Sequence, residues 1–347
     1  MELQPLPLIG GPVGFAGTVS IESVDGGVQP WRCDIHDRDL LFPDVATRAR
    51  MPAGVRVTLV SDTDSLAVDL APSGLRGDAP LRVDLVVDGQ FHARVELPLD
   101  GGRARFDHLP PGEHRLEAWL PQFGELRVTG VFIRPGATAA PLEDRRHRWL
   151  VYGSSITQCR QADGPTQTWP ALVASKFNLN LTCMGFGGQC HLDPLIARTL
   201  RDQDAHVISL CLGINVYGAA SLSPRSFPAA IIGLIRTIRD AHPRTPIACV
   251  SPIFGVQRET TPNAVGYTLE AMRRAICECV DKLAAAGDDK LIYVDGLALI
   301  GPGDAHVLPD QLHPHADGYR LLAERYAQHV MPPLLGALEG CPSCACV

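Results

Sequence analysis

Between residues 148 and 328, five apolar runs alternate with longer segments whose apolar positions recur at helical spacing. The runs lie near 148–152, 179–184, 205–212, 246–251 and 290–294, and the helical segments around 168–177, 192–202, 225–241, 263–286 and 317–328. This alternation constrains the fold more than any other feature of the chain. A strand that is apolar along its whole length must be covered on both faces, and a helix between successive strands makes them run parallel. The pattern predicts an α/β domain with a parallel sheet flanked by helices. Ligands of such sheets bind beyond the carboxyl ends of the strands, so the loops leaving that edge hold the functional candidates.

The first 135 residues follow a different period. Val55-Arg56-Val57-Thr58-Leu59-Val60, Leu81-Arg82-Val83-Asp84-Leu85-Val86-Val87 and Phe91-His92-Ala93-Arg94-Val95-Glu96-Leu97 alternate in twos. Asp88-Gly89 sits between two of these runs as a hairpin turn, and Asp100-Gly101-Gly102 and Pro110-Pro111-Gly112 punctuate the next ones. An antiparallel β-sandwich, jelly-roll-like, is expected. The Pro135-Gly-Ala-Thr-Ala-Ala-Pro stretch reads as a connector. The expected organisation is a β-sandwich accessory domain over 1–135, a linker over 136–147, a catalytic α/β domain over 148–335 and a Cys-rich tail over 336–347. A length of 347 residues accommodates two domains with separate cores.

Composition excludes several classes of function. With 46% hydrophobic and 20% charged residues the chain is ordinary globular material. A net charge of −7, with lysine only at 176, 282 and 290, leaves no basic tract for nucleic acid or an anionic membrane surface. Met1-Glu2-Leu3-Gln4-Pro5-Leu6-Pro7 lacks the features of a secretory signal, and no apolar run has the length of a membrane span. A soluble cytoplasmic protein is expected, without nucleic-acid or membrane partners. Several of the eleven cysteines fall inside apolar runs, as buried reduced thiols do.

Four segments at the carboxyl edge of the sheet carry the chemistry. Gly153-Ser154-Ser155-Ile156-Thr157 follows the first strand, and Met184-Gly185-Phe186-Gly187-Gly188-Gln189 the second. Leu212-Gly213-Ile214-Asn215 follows the third strand, and Asp310-Gln311-Leu312-His313-Pro314 precedes the last helix. Taken singly, each has a plain structural reading. A Gly-Ser turn caps a helix, a Gly-x-Asn is a turn, and a surface Asp-x-x-His titrates without consequence. One sheet edge brings all four together.

In this order the motifs resemble those of the SGNH, or GDSL-type, hydrolase superfamily over roughly residues 147–330. The form Gly-Ser-Ser-Ile-Thr is similar to the branch in which a β-sandwich precedes the catalytic domain. The resemblance implies a flavodoxin-like sheet order. It also implies Ser155 as nucleophile, Asp310 and His313 completing a triad, and an oxyanion hole formed by the Ser155 and Gly188 amides with the Asn215 side chain. Two positions depart from the commonest pattern: Ser154 stands where aspartate usually precedes the nucleophile, and Val216 where aspartate usually follows the asparagine. Ser154 is therefore an alternative nucleophile.

The roles are physically coherent without the family. His313 takes the Ser155 proton during attack on an ester or thioester carbonyl and returns it to the leaving group. Asp310, three residues away on a tight turn, reaches the other imidazole nitrogen. No cofactor or metal is required. A hydrolytic metal held by Asp310, His313, His315 and Asp317 is the competing reading, but it leaves Ser155, Gly188 and Asn215 without a purpose.

The loop from Gln158 to Thr166 borders the pocket or is a solvated connection. Trp169 is a pocket wall or core. The three tail thiols, Cys341, Cys344 and Cys346, form a frayed end by default, with metal binding, redox chemistry or prenylation at Cys344 as alternatives.

The expected activity is acyl transfer through an acyl-serine. A small-molecule ester or thioester donor, such as an acyl-CoA, gives its acyl group to a hydroxyl acceptor. The alternatives are an esterase acting on O-acyl groups of the O-acetyl carbohydrate kind, and a non-catalytic carbohydrate-binding protein.

Overall fold

A computed structural model describes residues 2–339; the three tail cysteines lie outside this range. The chain divides into two compact units. One comprises the residues up to Arg146 together with Asp163–Thr166 and Asn180–Cys183, and the other comprises His147–Ala162, Gln167–Leu179 and Met184 onward.

The first unit contains two antiparallel sheets. One has the order Ser20–Val24, Gly27–Trp31, Leu126–Ile133, Ser65–Pro72, Gly102–Asp107, with Gln4–Leu6 added along Leu126–Ile133. The other has the order Ala139–Ala140, Arg56–Ser61, His114–Trp119, Leu81–Val87, Gln90–Leu97, with Gly14–Ala16 added along Arg56–Ser61. Alternate residues of both sheets, among them Val57, Leu59, Leu66, Val68, Leu85 and Leu116, form one buried core. Each contributes about 1.5–3 kcal/mol of apolar transfer energy.

Asp88 and Gly89 both have positive φ, 49° and 80°, and Val87 pairs with Gln90. Positive φ at both central residues matches the right-handed twist of the strands they join. The stretch taken as a connector contributes the short strand Ala139–Ala140, which completes an edge by pairing with Ser61 and Val60.

A third sheet has five strands in the order Leu179–Gly185, His147–Gly153, Val207–Cys211, Ile247–Val250, Leu291–Val294, and all of it except Asn180–Cys183 belongs to the second unit. The last four of these strands pair in parallel. Sheet order reverses around the first strand, since its successor in sequence lies on one side and the third strand on the other. The crevice beyond their carboxyl ends is the switch point where this class of fold binds ligands.

Helices Trp169–Lys176, Pro194–Asp202, Phe227–Arg239, Leu269–Ala285 and Ala316–His329 flank the sheet. Phe227, Ile231, Leu234, Ile235 and Ile238 form the buried face of the third of these, at the spacing of a helical stripe. Leu269–Ala285 begins six residues later than its hydrophobic pattern suggests. Asn263 Oδ1 accepts from the amides of Val265 and Tyr267 and holds that stretch in a turn, and Thr268 then caps the helix through the Ala271 amide. The final helix, Met331–Glu339, takes in the first residues of the compositional tail. Among the described residues no helix is long and apolar enough to cross a membrane, and no disulfide joins the eight cysteines.

Candidate active site

The strand His147–Gly153 runs directly into a short helix, Ser155–Gln158. Ser154 is the N-cap: its backbone is extended, its hydroxyl accepts from the Ile156 amide at 3.2 Å, and it is 3% exposed. Ser155, the first helical residue, is half-buried, and its Oγ lies 2.8 Å from His313 Nε2. The two adjacent serines thus have different tasks, one turned inward to cap the helix and the other facing the imidazole. Replacing Ser154 by alanine is expected to cost about 0.5–2 kcal/mol of stability. Turnover should stay within a few-fold, as read by denaturant unfolding alongside steady-state kinetics.

His313 is held by its own turn. Asp310 Oδ1 accepts from the amides of Leu312, at 3.0 Å, and His313, at 2.6 Å, while Oδ2 lies 2.6 Å from His313 Nδ1. Arg258 donates to the Gln311 carbonyl at 2.8 Å and ties down the same loop. Burial pushes the Asp310 carboxyl up, but the hydrogen bonds from the His313 amide and ring and from Leu312 outweigh it and hold the carboxyl below the usual carboxylate range. An ionised Asp310 fixes the proton on Nδ1 and leaves the Nε2 lone pair facing Ser155.

Three candidate donors stand on separate segments that leave this edge of the sheet. The Ser155 amide is at the N-terminus of its helix, where first-turn N–H groups have no intrahelical acceptor. Gly188 follows the second strand, and Asn215 is in the first turn of helix Ile214–Ala219 after the third. Among the described residues, the Ser155 amide, the Gly188 amide and Asn215 Nδ2 have no protein acceptor. Asn215 Oδ1 accepts from the Cys190 amide at 3.0 Å, which fixes which end of the side-chain amide is left to donate.

The second loop approaches Ser155 closely: a Cβ at Gly187 would lie 3.6 Å from the Ser155 Cβ. A Cβ at Gly185 would lie 2.4 Å from the Gln158 amide nitrogen, so only glycine lets the chain pass there. Gln158 Oε1 then accepts from the Gly187 amide at 2.9 Å. Sequence reasoning missed Gln158 as a site residue, because it stood in a polar loop that offered no pattern. Gln158 is buried, and it holds the Phe186–Gly187 peptide, one before the peptide that carries the Gly188 amide.

The remaining sequence candidates have structural partners. Trp169 is buried against Trp149 and Tyr326 and donates to the Ile156 carbonyl at 2.9 Å. It also lines a small apolar cavity of about 40 Å³ that borders Ser154, Leu212, Ile214 and Pro252. His315 caps the last helix through the Gly318 amide, and Asp317 pairs with Arg320. Neither is grouped with Asp310 and His313 in a metal-ligating cluster among the described residues.

Residues 13–128 match the family of the SsfX3 N-terminal domain, and residues 146–334 match the GDSL-like lipase/acylhydrolase family. The chain belongs to the GDSL-like lipase/acylhydrolase family. Among solved structures of this fold, the salicylyl-acyltransferase SsfX3 from a tetracycline biosynthetic pathway is 30% identical. It superposes with a TM-score of 0.88, with 98% of each chain covered. A candidate GDSL-like lipase from Bacteroides ovatus is 20% identical, with a TM-score of 0.77, covering 96% of this chain and 98% of its own. A family two carbohydrate esterase from Cellvibrio japonicus is 15% identical, with a TM-score of 0.67 and coverage of 97% and 98%. These last two are likenesses of fold. No curated protein matches the sequence. The family and the 30% relative establish an SGNH-type enzyme.

Proposed function

We propose that this enzyme transfers an acyl group from a small-molecule thioester or ester to the hydroxyl of a second small molecule, through an acyl-serine on Ser155. The observation that carries the acyl-serine is the 2.8 Å approach of Ser155 Oγ to His313 Nε2, with Asp310 on the opposite ring nitrogen. The preference for transfer over hydrolysis is supported by the likeness to SsfX3 along 98% of the chain.

The geometry supports the following sequence. Ser155 Oγ attacks the donor carbonyl as its proton passes to His313 Nε2, and Asp310 stabilises the imidazolium. The new oxyanion accepts hydrogen bonds from the Ser155 and Gly188 amides and from Asn215 Nδ2. Collapse of the tetrahedral intermediate breaks the bond to sulfur or oxygen, and the imidazolium returns the proton to the leaving group. An acceptor hydroxyl then gives its proton to the neutral His313 and attacks the acyl-serine. A second collapse releases the acylated product and restores Ser155. Acyl-CoA has the thioester chemistry this donor role requires.

Incubation with an acyl thioester, with and without candidate alcohols, separates the outcomes. Acceptor-dependent acyl loss that yields the new ester is the expected result. Free acid as the sole product at every alcohol concentration would replace transfer by hydrolysis. Sugar binding that survives Ser155→Ala, without any turnover by the native protein, would favour the binding-module reading. Asn215→Ala is expected to lower kcat about 10²–10³-fold with little change in KM, because the missing donor acts on charge that develops only in the transition state. Steady-state kinetics on one ester checks this.

A further inference from the structure

We propose that His191, which no motif singled out, is a positioning residue that locks the two loop-borne donors of the oxyanion hole into one frame. This rests on the acyl-serine reading above. His191 Nε2 lies 3.0 Å from the Gly188 carbonyl oxygen, and its Nδ1 lies 2.8 Å from Ser221 Oγ. A carbonyl only accepts, so Nε2 carries the proton and Nδ1 accepts from the Ser221 hydroxyl. The Ser221 amide in turn donates to the Val216 carbonyl at 3.3 Å, within the helix that begins with Ile214 and Asn215. His191 therefore spans from the Gly188 peptide to the far end of the Asn215 helix. Cys190, its neighbour, makes a second tie by donating to Asn215 Oδ1.

The tie matters because of what it holds. Gly188 has a φ of +76°, a conformation glycine enters and leaves at little cost. Gly188 is also exposed, and the peptide on its C-terminal side is held by the Gln189 amide, which donates to the Phe186 carbonyl at 2.9 Å, and by His191 at its carbonyl. A donor that swings by an ångström loses the geometry on which stabilisation of the oxyanion depends. The His191 bond acts on the peptide that follows Gly188, one Cα from the donating amide, and limits rotation at Gly188 from outside the substrate site. His191 lines a surface groove of about 560 Å³ with Leu192, Asp193, Ser221 and Leu222. Its replacement therefore opens no sealed cavity, and variants should fold.

The test compares His191→Leu with His191→Gln, since glutamine keeps an N–H donor at similar reach and leucine keeps only bulk. The probes are 4-nitrophenyl acetate and a serine-directed phosphonate, whose adduct is tetrahedral. His191→Leu is expected to reduce kcat and the phosphonate inactivation rate each by about ten- to a hundredfold. KM should stay within twofold and the melting temperature unchanged, and His191→Gln should recover most of the loss. Adding Ser221→Ala to His191→Leu should cost nothing further, since both act through one link.

Wild-type kcat in the leucine variant, a loss confined to KM, or equal losses in the two variants would overturn the positioning role. Failure of the native protein both to turn over the ester and to be labelled at Ser155 would instead overturn the acyl-serine reading, and this proposal with it.

Discussion

Ser155→Ala is expected to lower kcat by about 10⁶-fold and to abolish the acyl-enzyme. The serine pair divides the labour. The hydroxyl at 155 is the one within 2.8 Å of His313 Nε2, whereas the hydroxyl at 154 is buried and accepts from the Ile156 amide. Removing the first takes away the attacking atom and leaves the cap, so the variant should unfold at the wild-type denaturant concentration. Rate and stability thus separate: alanine at 155 affects catalysis alone, and alanine at 154 mainly the fold.

Because Ser155 and His313 act as a unit, His313→Ala should be as damaging, and the double variant no worse than either. A residual acceleration of about 10³-fold over the uncatalysed reaction should persist in all three, supplied by the oxyanion donors and binding. Single-turnover kinetics and intact mass after exposure to an acyl thioester measure both quantities. A Ser155→Ala protein that still accumulates acyl adduct, or a phosphonate label found on Ser154, would exchange the two serines and break the scheme.

The parts of this site that could be read from the sequence are those with a local signature. Strand boundaries were legible where burial on both faces leaves a near-continuous apolar run: 205–212 was expected and Val207–Cys211 is found, 246–251 was expected and Ile247–Val250 is found. Ser155, Gly188, Asn215, Asp310 and His313 stood out because each sits in a short motif just past a strand or just before a helix, where an α/β sheet gathers its loops. Gln158, Cys190 and His191 did not. Each contributes through a hydrogen bond between a side chain and a backbone group, with the partners 29, 25 and 3 residues apart, respectively. Any polar side chain or amide makes such bonds, so residue type and spacing carried no mark of them. Helix starts were blurred for a related reason. The apolar stripe of Leu269–Ala285 appeared to begin at 263 because Tyr267 is buried without being helical. Periodicity reports burial, and the cap at Thr268 decides where the helix begins.

Asp310→Asn is expected to lower kcat by about 10⁴-fold, and the size of the loss decides what Asp310 does. The carboxylate does two things at once. Oδ1 holds the amides of Leu312 and His313, a task that an asparagine oxygen performs equally well, so the turn should survive the substitution. Oδ2 faces His313 Nδ1, and there asparagine presents an N–H₂ group. Two donors cannot share that bond, so Nδ1 becomes the acceptor and the ring proton moves to Nε2, pointing at Ser155 and unable to take its proton.

A purely electrostatic role predicts far less. The Asp310 side chain is 45% exposed, and an ion pair so open to water is worth about 0–1 kcal/mol, less than a tenfold change in rate. The predicted 10⁴-fold loss corresponds to about 5.4 kcal/mol, which solvent-screened charge cannot supply and a wrong tautomer can. Hydrogen bonding holds the Asp310 carboxyl below the usual range despite partial burial, so it stays charged as pH falls until it reaches that lowered value. Down to that point Asp310 keeps the proton on Nδ1. A loss near 10⁴, with the melting temperature unchanged, makes Asp310 the residue that sets the tautomer of His313. A loss below tenfold would reduce it to a loop fastener and leave Ser155 and His313 as a dyad.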